Sequence, residues 1–232
     1  GNYIQACELN PALIGSWNAL HSLFMNKNNH QAALHSLEQL EKLKKLPNIL
    51  LYIDQIMNED RLGVAEIKSR EFLKKNPTNT YAMSQLAEIA SRLGHYNDAE
   101  LLLEKATSFE PNNGDLRMKY LLVLRKTQKF AKTTEQVNIL CEQFPDNFLY
   151  KSQRAIEMMQ SGNNEDAINI LNDIIKISPN NFSAYTSKGH AEKTLGKTDD
   201  AIESYQHAYN IKPDHGEAFF SLSNLKTYSF SE

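Results

Sequence analysis

Residues 182–213 read FSAYTSKGHAEKTLGKTDDAIESYQHAYNIKP, and the fold is decided in this stretch. In its second half Ala201, Ile202, Tyr205, Ala208 and Tyr209 fall at i, i+1, i+4, i+7 and i+8, the stripe of a helix that buries one face. In its first half Tyr185 and Gly189 share a face, and Gly196 stands where that helix must stop and the backbone turns to positive φ. Two such helices joined by a short turn pack antiparallel. Gly189 and Ala201 are small, which predicts that the two backbones approach most closely there.

The proline that ends the stretch belongs to a series. Pro77, Pro111, Pro145, Pro179 and Pro213 follow one another at intervals of 34 residues. A fixed period of this size signals stacked helical pairs, each too small to hide its apolar face alone. Proline closes each unit because it lacks an amide hydrogen and clashes with the preceding turn. The Asn or Asp residues that follow, Asn112, Asn113, Asp146, Asn147, Asn180, Asn181 and Asp214, are expected to cap the next helix.

On these residues 182–213 resembles a tetratricopeptide repeat, whose pattern sets an aromatic, a small residue, then Ala, aromatic, Ala and Pro at fixed offsets. The preceding units match in part. Ala87, Ala99 and Ala106 with Gly94 and Tyr96 serve the unit ending at Pro111; Ala155, Gly162 and Ala167 with Leu171 and Ile174 serve the one ending at Pro179. Between Gly114 and Pro145, Leu121 and Thr133 replace small residues and Gln128 replaces the turn glycine. Toward the amino end, Trp17, Leu20, Phe24, Ala33, Leu37 and Leu40 fit one unit whose second helix runs on through Lys44 and Lys45 to Pro47. Ile49, Tyr52, Ile56, Ala65 and Phe72 fit a shortened one, since only 30 residues separate Pro47 from Pro77.

The resemblance implies an all-α, right-handed α-solenoid of six tandem helix pairs with a partial repeat at each end, about fourteen helices in all. The expected organisation is a single array over 1–232: a partial repeat at 1–11, repeats at 14–47, 48–77, 80–111, 114–145, 148–179 and 182–213, and a final helix at 216–232. No linker rich in Pro, Gly or Ser divides it.

The 232 residues carry a net charge of −3, so the positive excess that binding to nucleic acid or to an acidic membrane needs is missing overall. The apolar runs are too short to span a bilayer, and a cytoplasmic location is expected. Cys7 and Cys141 lie far apart without a CxxC or paired-His spacing, which argues for inert buried thiols and against a zinc site. His21, His30, His35, His95, His190, His207 and His215 show no metal spacing and no partner pattern for a nucleophile or general base; they are read as surface or turn residues. No GxxxxGK[ST] or GxGxxG loop is present. Neither catalysis nor a cofactor is expected of this chain.

Function is therefore argued from the surface. The resemblance implies a concave groove lined by the first helix of each pair, holding a peptide or protein partner. Projected onto this sequence, the groove positions are Tyr81, Gln85, Arg92, Lys119, Arg125, Lys126, Met159, His190 and Lys193, with Glu88, Leu122 and Ile156 beside them. From Asp115 to Lys132 six Lys or Arg stand against one Asp, a local +5 suited to a partner with an acidic segment. The set of Lys, Asn and Arg by which family members clasp chaperone tails is not found.

An alternative rests on the carboxyl end. Residues 216–230 resemble the junction in bacterial tetratricopeptide-repeat sulfotransferases, where the last repeat runs into a catalytic domain. Under that resemblance this chain is a non-catalytic docking region. Phe219, Phe220, Leu222 and Tyr228 make a terminal helix too apolar to face solvent, and they are expected to dock a following domain or to drive end-to-end self-association.

Overall fold

The computed structural model describes residues 2–9, 12–214 and 216–225. Among these there are fourteen helices and no strand. They divide into two compact units, the first ending at Thr127 and the second beginning at Gln128. The first unit holds α1 (Asn2–Leu9), α2 (Ile14–Asn26), α3 (His30–Lys44), α4 (Asn48–Asn58), α5 (Leu62–Lys75), α6 (Thr80–Arg92), α7 (Tyr96–Phe109) and α8 (Gly114–Lys126). The second holds α9 (Phe130–Gln143), α10 (Phe148–Gln160), α11 (Asn164–Ile177), α12 (Phe182–Thr194), α13 (Thr198–Ile211) and α14 (Gly216–Ser223). Within each unit consecutive helices pack on one another, α3 and α4 excepted, and alternate helices touch where they are the first members of neighbouring pairs: α4 with α6, α6 with α8, α10 with α12.

The period is built from two kinds of joint. Inside each pair the first helix stops and one residue adopts positive φ: Asn28, Asp60, Gly94, Gln128, Gly162 and Gly196. A left-handed residue there lets the chain reverse within three residues, and glycine fills half of these turns because it has no Cβ to clash. Between pairs, the first helix begins three residues after the proline, capped by Asn79, Asn113, Asn147 or Asn181, whose side chains accept backbone amides of the first turn. The cap is thus the second residue after proline. Asn112, Asp146 and Asn180, expected to share this role, do not occupy the capping position, which needs one further residue of extended backbone between the proline and the helix.

The short repeat after Pro47 shows what happens when that spacer is lost. Pro47 is itself the residue before helix α4, and α4 has 11 residues where α6 has 13. Two residues missing from the spacer and two from the helix account for the four by which this repeat falls short. The early start also moves the buried stripe. Ile49 and Tyr52, expected in the core, are exposed, and Leu50 and Ile53 are sealed instead, packing with the expected Ile56 and Ala65 and with Met57, Ala82 and Ile89. Leu37, another expected core residue, is also exposed.

Elsewhere the small positions serve close packing as anticipated. Ala87, Ala90, Ala99 and Leu103 pack with Tyr120, Val123 and Leu124 in the first unit. Ala155, Ala167, Leu171, Ile174 and Ala184 pack together in the second. Gly189 is small for a different reason from the one expected. A Cβ built on it would lie 2.6 Å from the ring of Tyr205, so a side chain, not the facing backbone, fills the space. Tyr205 is completely buried and joins Ala201, Leu222 and Leu225.

Candidate binding groove

Three first helices of the first unit, α4, α6 and α8, carry a ladder of polar side chains that ties α6 to α4 and α8 to α6. Asp54 on α4 receives the hydroxyl of Tyr81 at 2.7 Å and Nε2 of Gln85 at 2.6 Å, both from α6. Nε2 of Gln85 also reaches the Leu50 carbonyl at 2.8 Å, which fixes the orientation of its amide. One turn further on, Arg92 donates to the Met57 carbonyl at 2.9 Å and to Asp60 at 2.8 Å. From the next first helix, α8, Nζ of Lys119 donates to Oγ of Ser84 at 2.8 Å.

These bonds decide the electrostatics. Burial pushes the Asp54 carboxyl above its usual range, against the lowering effect of the Gln85 and Tyr81 bonds and of the Lys119 charge. Burial, and then the Asp54 charge, drive the Tyr81 hydroxyl upward as well, so it stays a donor. Asp60 in the turn after α4 and Glu88 on α6 are exposed. The face therefore carries Asp54, Asp60 and Glu88 against Arg92, Lys119, Arg125 and Lys126, three charges of one sign and four of the other.

Of the residues expected to line a groove, Tyr81, Gln85, Arg92 and Lys119 are thus brought together, but in contacts within the chain itself, with Gln85 buried. Lys126 is exposed in the last turn of α8, Arg125 is half-buried beside it, and Leu122 between them and Lys119 is about half exposed. The run of six cations from Arg117 to Lys132 does not form one face: Arg117 is buried and donates to the Pro111 carbonyl at 2.9 Å. Met159, His190 and Lys193 belong to the second unit. Met159 packs against the cluster around Ala155 and Leu171, and Lys193 is exposed. His190 is half-buried, with Nδ1 2.8 Å from the Tyr205 hydroxyl and Nε2 3.3 Å from Glu217, so it joins α12 to α13 and α14. His21 similarly sits half-buried with Nδ1 2.9 Å from the Ala33 carbonyl. These two histidines depart from the surface or turn placement expected of them.

At the carboxyl end Phe219 and Phe220 are exposed on α14, and Tyr209 lies against Phe219 with ring centroids 6.1 Å apart. Leu222 points the other way, into the cluster with Tyr205, so it is occupied by the chain's own packing. Tyr228 lies outside the described residues, as does His215. Cys7 is buried; burial raises its thiol and that of Cys141 above the usual range. No helix among the described residues is long and apolar enough to cross a membrane.

Sequence reasoning missed Asp54, Asp60 and Ser84. The signal for the first was present: Asp54, Glu88, Leu122, Ile156 and His190 are spaced by 34 and occupy one position of the repeat. Counting from the prolines hid it, because the register slips at Pro47; counting from the positive-φ residue of each turn restores it.

A family model described as the tetratricopeptide repeat matches residues 80–113 and 182–215. Tetratricopeptide repeat protein 6 of Homo sapiens is 28% identical over 121 residues, which make up 52% of this chain and 23% of that protein. The chain thus spans about a quarter of the length of that relative. Among solved structures, YrrB, described as a TPR protein with an unusual peptide-binding site, matches with a TM-score of 0.61 at 18% identity, covering 80% of this chain and 96% of its own. MamA matches with a TM-score of 0.62 at 17% identity, covering 71% of this chain and 96% of its own. At these identities the two structures establish the fold.

Proposed function

We propose that this chain, built from tetratricopeptide repeats, is an interaction scaffold whose first unit holds a peptide or protein segment against α4, α6 and α8. The observation that carries the reading is the ladder itself. Asp54, Tyr81, Arg92 and Lys119 are held in fixed positions by bonds between neighbouring first helices, with the buried Gln85 tying α6 to α4, so a ligand meets polar groups whose ordering cost has already been met. Leu122 and Lys126 remain open at one edge and supply apolar and cationic contacts. The balance of charges on this face favours a ligand of mixed charge, with any acidic portion directed at Lys126. That YrrB is described as peptide-binding agrees with this reading.

Peptides selected by display against the whole chain provide the test. Leu122→Asp and Lys126→Glu should each weaken the selected peptides by about tenfold, while Ile67→Asp, on an exposed position of the second helix α5, should leave them unchanged. The reverse pattern would remove the groove as the binding face. The sulfotransferase docking reading rests on residues 216–230 alone, of which 226–230 lie outside the described residues. Phe219 and Phe220 would serve it, or serve self-association, as exposed anchors on α14.

A further inference from the structure

The second unit contains a cavity of about 470 Å³ between α11 and α13, floored by α12. On α12 its residues are Tyr185, Lys188 and Glu192, at i, i+3 and i+7, on the side of the helix away from His190. It is a different place from the ladder described above, in a different unit, and on the opposite helix face from the groove positions.

Its floor is unusual for this chain. Glu192 is buried, its carboxylate taking the Ser204 hydroxyl at 2.7 Å and facing the Lys188 ammonium at 3.5 Å. At the same position of the four preceding repeats, counting back by 34, stand Ile56, Ala90, Leu124 and Met158. Three of these are buried core residues and the fourth is half-buried against the neighbouring cluster. The fold is thus satisfied by an apolar residue there, and burying a carboxylate instead carries a desolvation cost that a loose ammonium contact offsets only in part. Glu192 satisfies the buried Ser204 hydroxyl, yet the other repeats need no such pair at this position.

The walls supply the remaining chemistry. Tyr185 and His207, both in the lining, stack on each other with centroids 5.1 Å apart and planes inclined by 20°, so each ring keeps one outer face. Asp200 and Glu203 stand on α13, and Ile168 and Ile175 give an apolar strip on α11. The lining has three carboxylates, Glu192, Asp200 and Glu203, against the two ammonium groups of Lys188 and Lys197, which leaves one negative charge with His207 neutral. A ligand that matches has an apolar stem, a flat cationic head and several hydrogen-bond donors.

We propose that this cavity binds an arginine side chain presented by a protein partner. The methylenes lie along Ile168 and Ile175, the guanidinium stacks on an outer face of the Tyr185–His207 pair, and its donors reach Glu203, Asp200 and the buried Glu192. Lysine has the charge without the plane and fits less well.

The experiment is a titration of the intact chain with acetyl-Gly-Arg-Gly-amide, followed by the NMR signals of Tyr185 and His207. The citrulline analogue keeps the shape and removes the charge. The arginine peptide should shift both side chains in a saturable way. The citrulline peptide should bind about tenfold more weakly, and Asp200→Asn with Glu203→Gln, both exposed, should cause a similar loss. Glu192→Gln, which keeps an acceptor for Ser204, should weaken binding while leaving the melting temperature in place. Equal binding of the two peptides, or no shift of Tyr185 and His207 up to about 10 mM, would each overturn the proposal. Because the readout and the variants lie wholly in the second unit, its failure would leave the groove reading standing, and the converse holds.

Discussion

A methyl group added at Gly189 would meet the ring of Tyr205 at 2.6 Å, and that ring has nowhere to go. It is fully buried, and its hydroxyl is held 2.8 Å from His190. In an open helix interior, Gly to Ala stabilises by about 1 kcal/mol; here the clash wins, and Gly189→Ala should destabilise by about 1–3 kcal/mol in chemical denaturation. The opposite sign is expected at Gln128. This residue holds φ 56 at the turn position where Gly94, Gly162 and Gly196 stand, so it adopts a left-handed conformation that costs a residue with a Cβ about 1–2 kcal/mol. Gln128→Gly should raise the unfolding midpoint, and a fall would show that the side chain does more than tolerate the turn. Burial pushes the Tyr205 hydroxyl up to about 12, with Glu192 and Glu217 adding to the shift and the Ser221 bond opposing it. The folded chain therefore keeps this proton after the unfolded chain has lost it near 10, and stability should fall as pH rises from 10 to about 12. Tyr205→Phe should flatten that part of the profile.

Individual helices show which parts of the structure could be read in advance. The second helices α7, α11 and α13 were legible because their stripes and their alanines follow the 3.6-residue period and their ends are marked by a positive-φ turn and a proline. Helix α4 was not. Its stripe depends on where it starts, and Pro47 starts it without the usual spacer, so a period counted from prolines places Ile49 and Tyr52 inside when Leu50 and Ile53 are. The candidate groove suffered more. The sequence supplies positions on a face, but whether Gln85 or Lys119 points to a ligand or to a neighbouring helix depends on side-chain reach between residues 31 to 35 apart. The α4–α6 joint makes a prediction of its own. Because burial raises the Asp54 carboxyl, the folded chain holds its proton at pH values where the unfolded chain, near 3.8, has released it. Its contribution to stability is full below 3.8 and declines as pH rises through the raised folded value. The difference in unfolding free energy between the parent and Asp54→Asn should change across that acid window and stay level above it. A flat difference throughout would mean that the carboxyl titrates as if exposed.

At the scale of the whole molecule, repeats are stabilised by their neighbours in sequence, and the cores come as a series of local clusters. A fault in one repeat should then loosen that repeat and those beside it, while distant helices keep their protection. The same property lets the two proposed binding places, the first-helix face of the first unit and the cavity of the second, be altered separately. Native-state amide hydrogen exchange on the parent chain and on Gly189→Ala tests this most directly. The repeat account predicts faster exchange in α11, α12, α13 and α14, with α4, α5, α6 and α7 unchanged. An equal loss of protection across all helices would contradict it, because only a chain folded about one shared core opens everywhere when a single contact is spoiled.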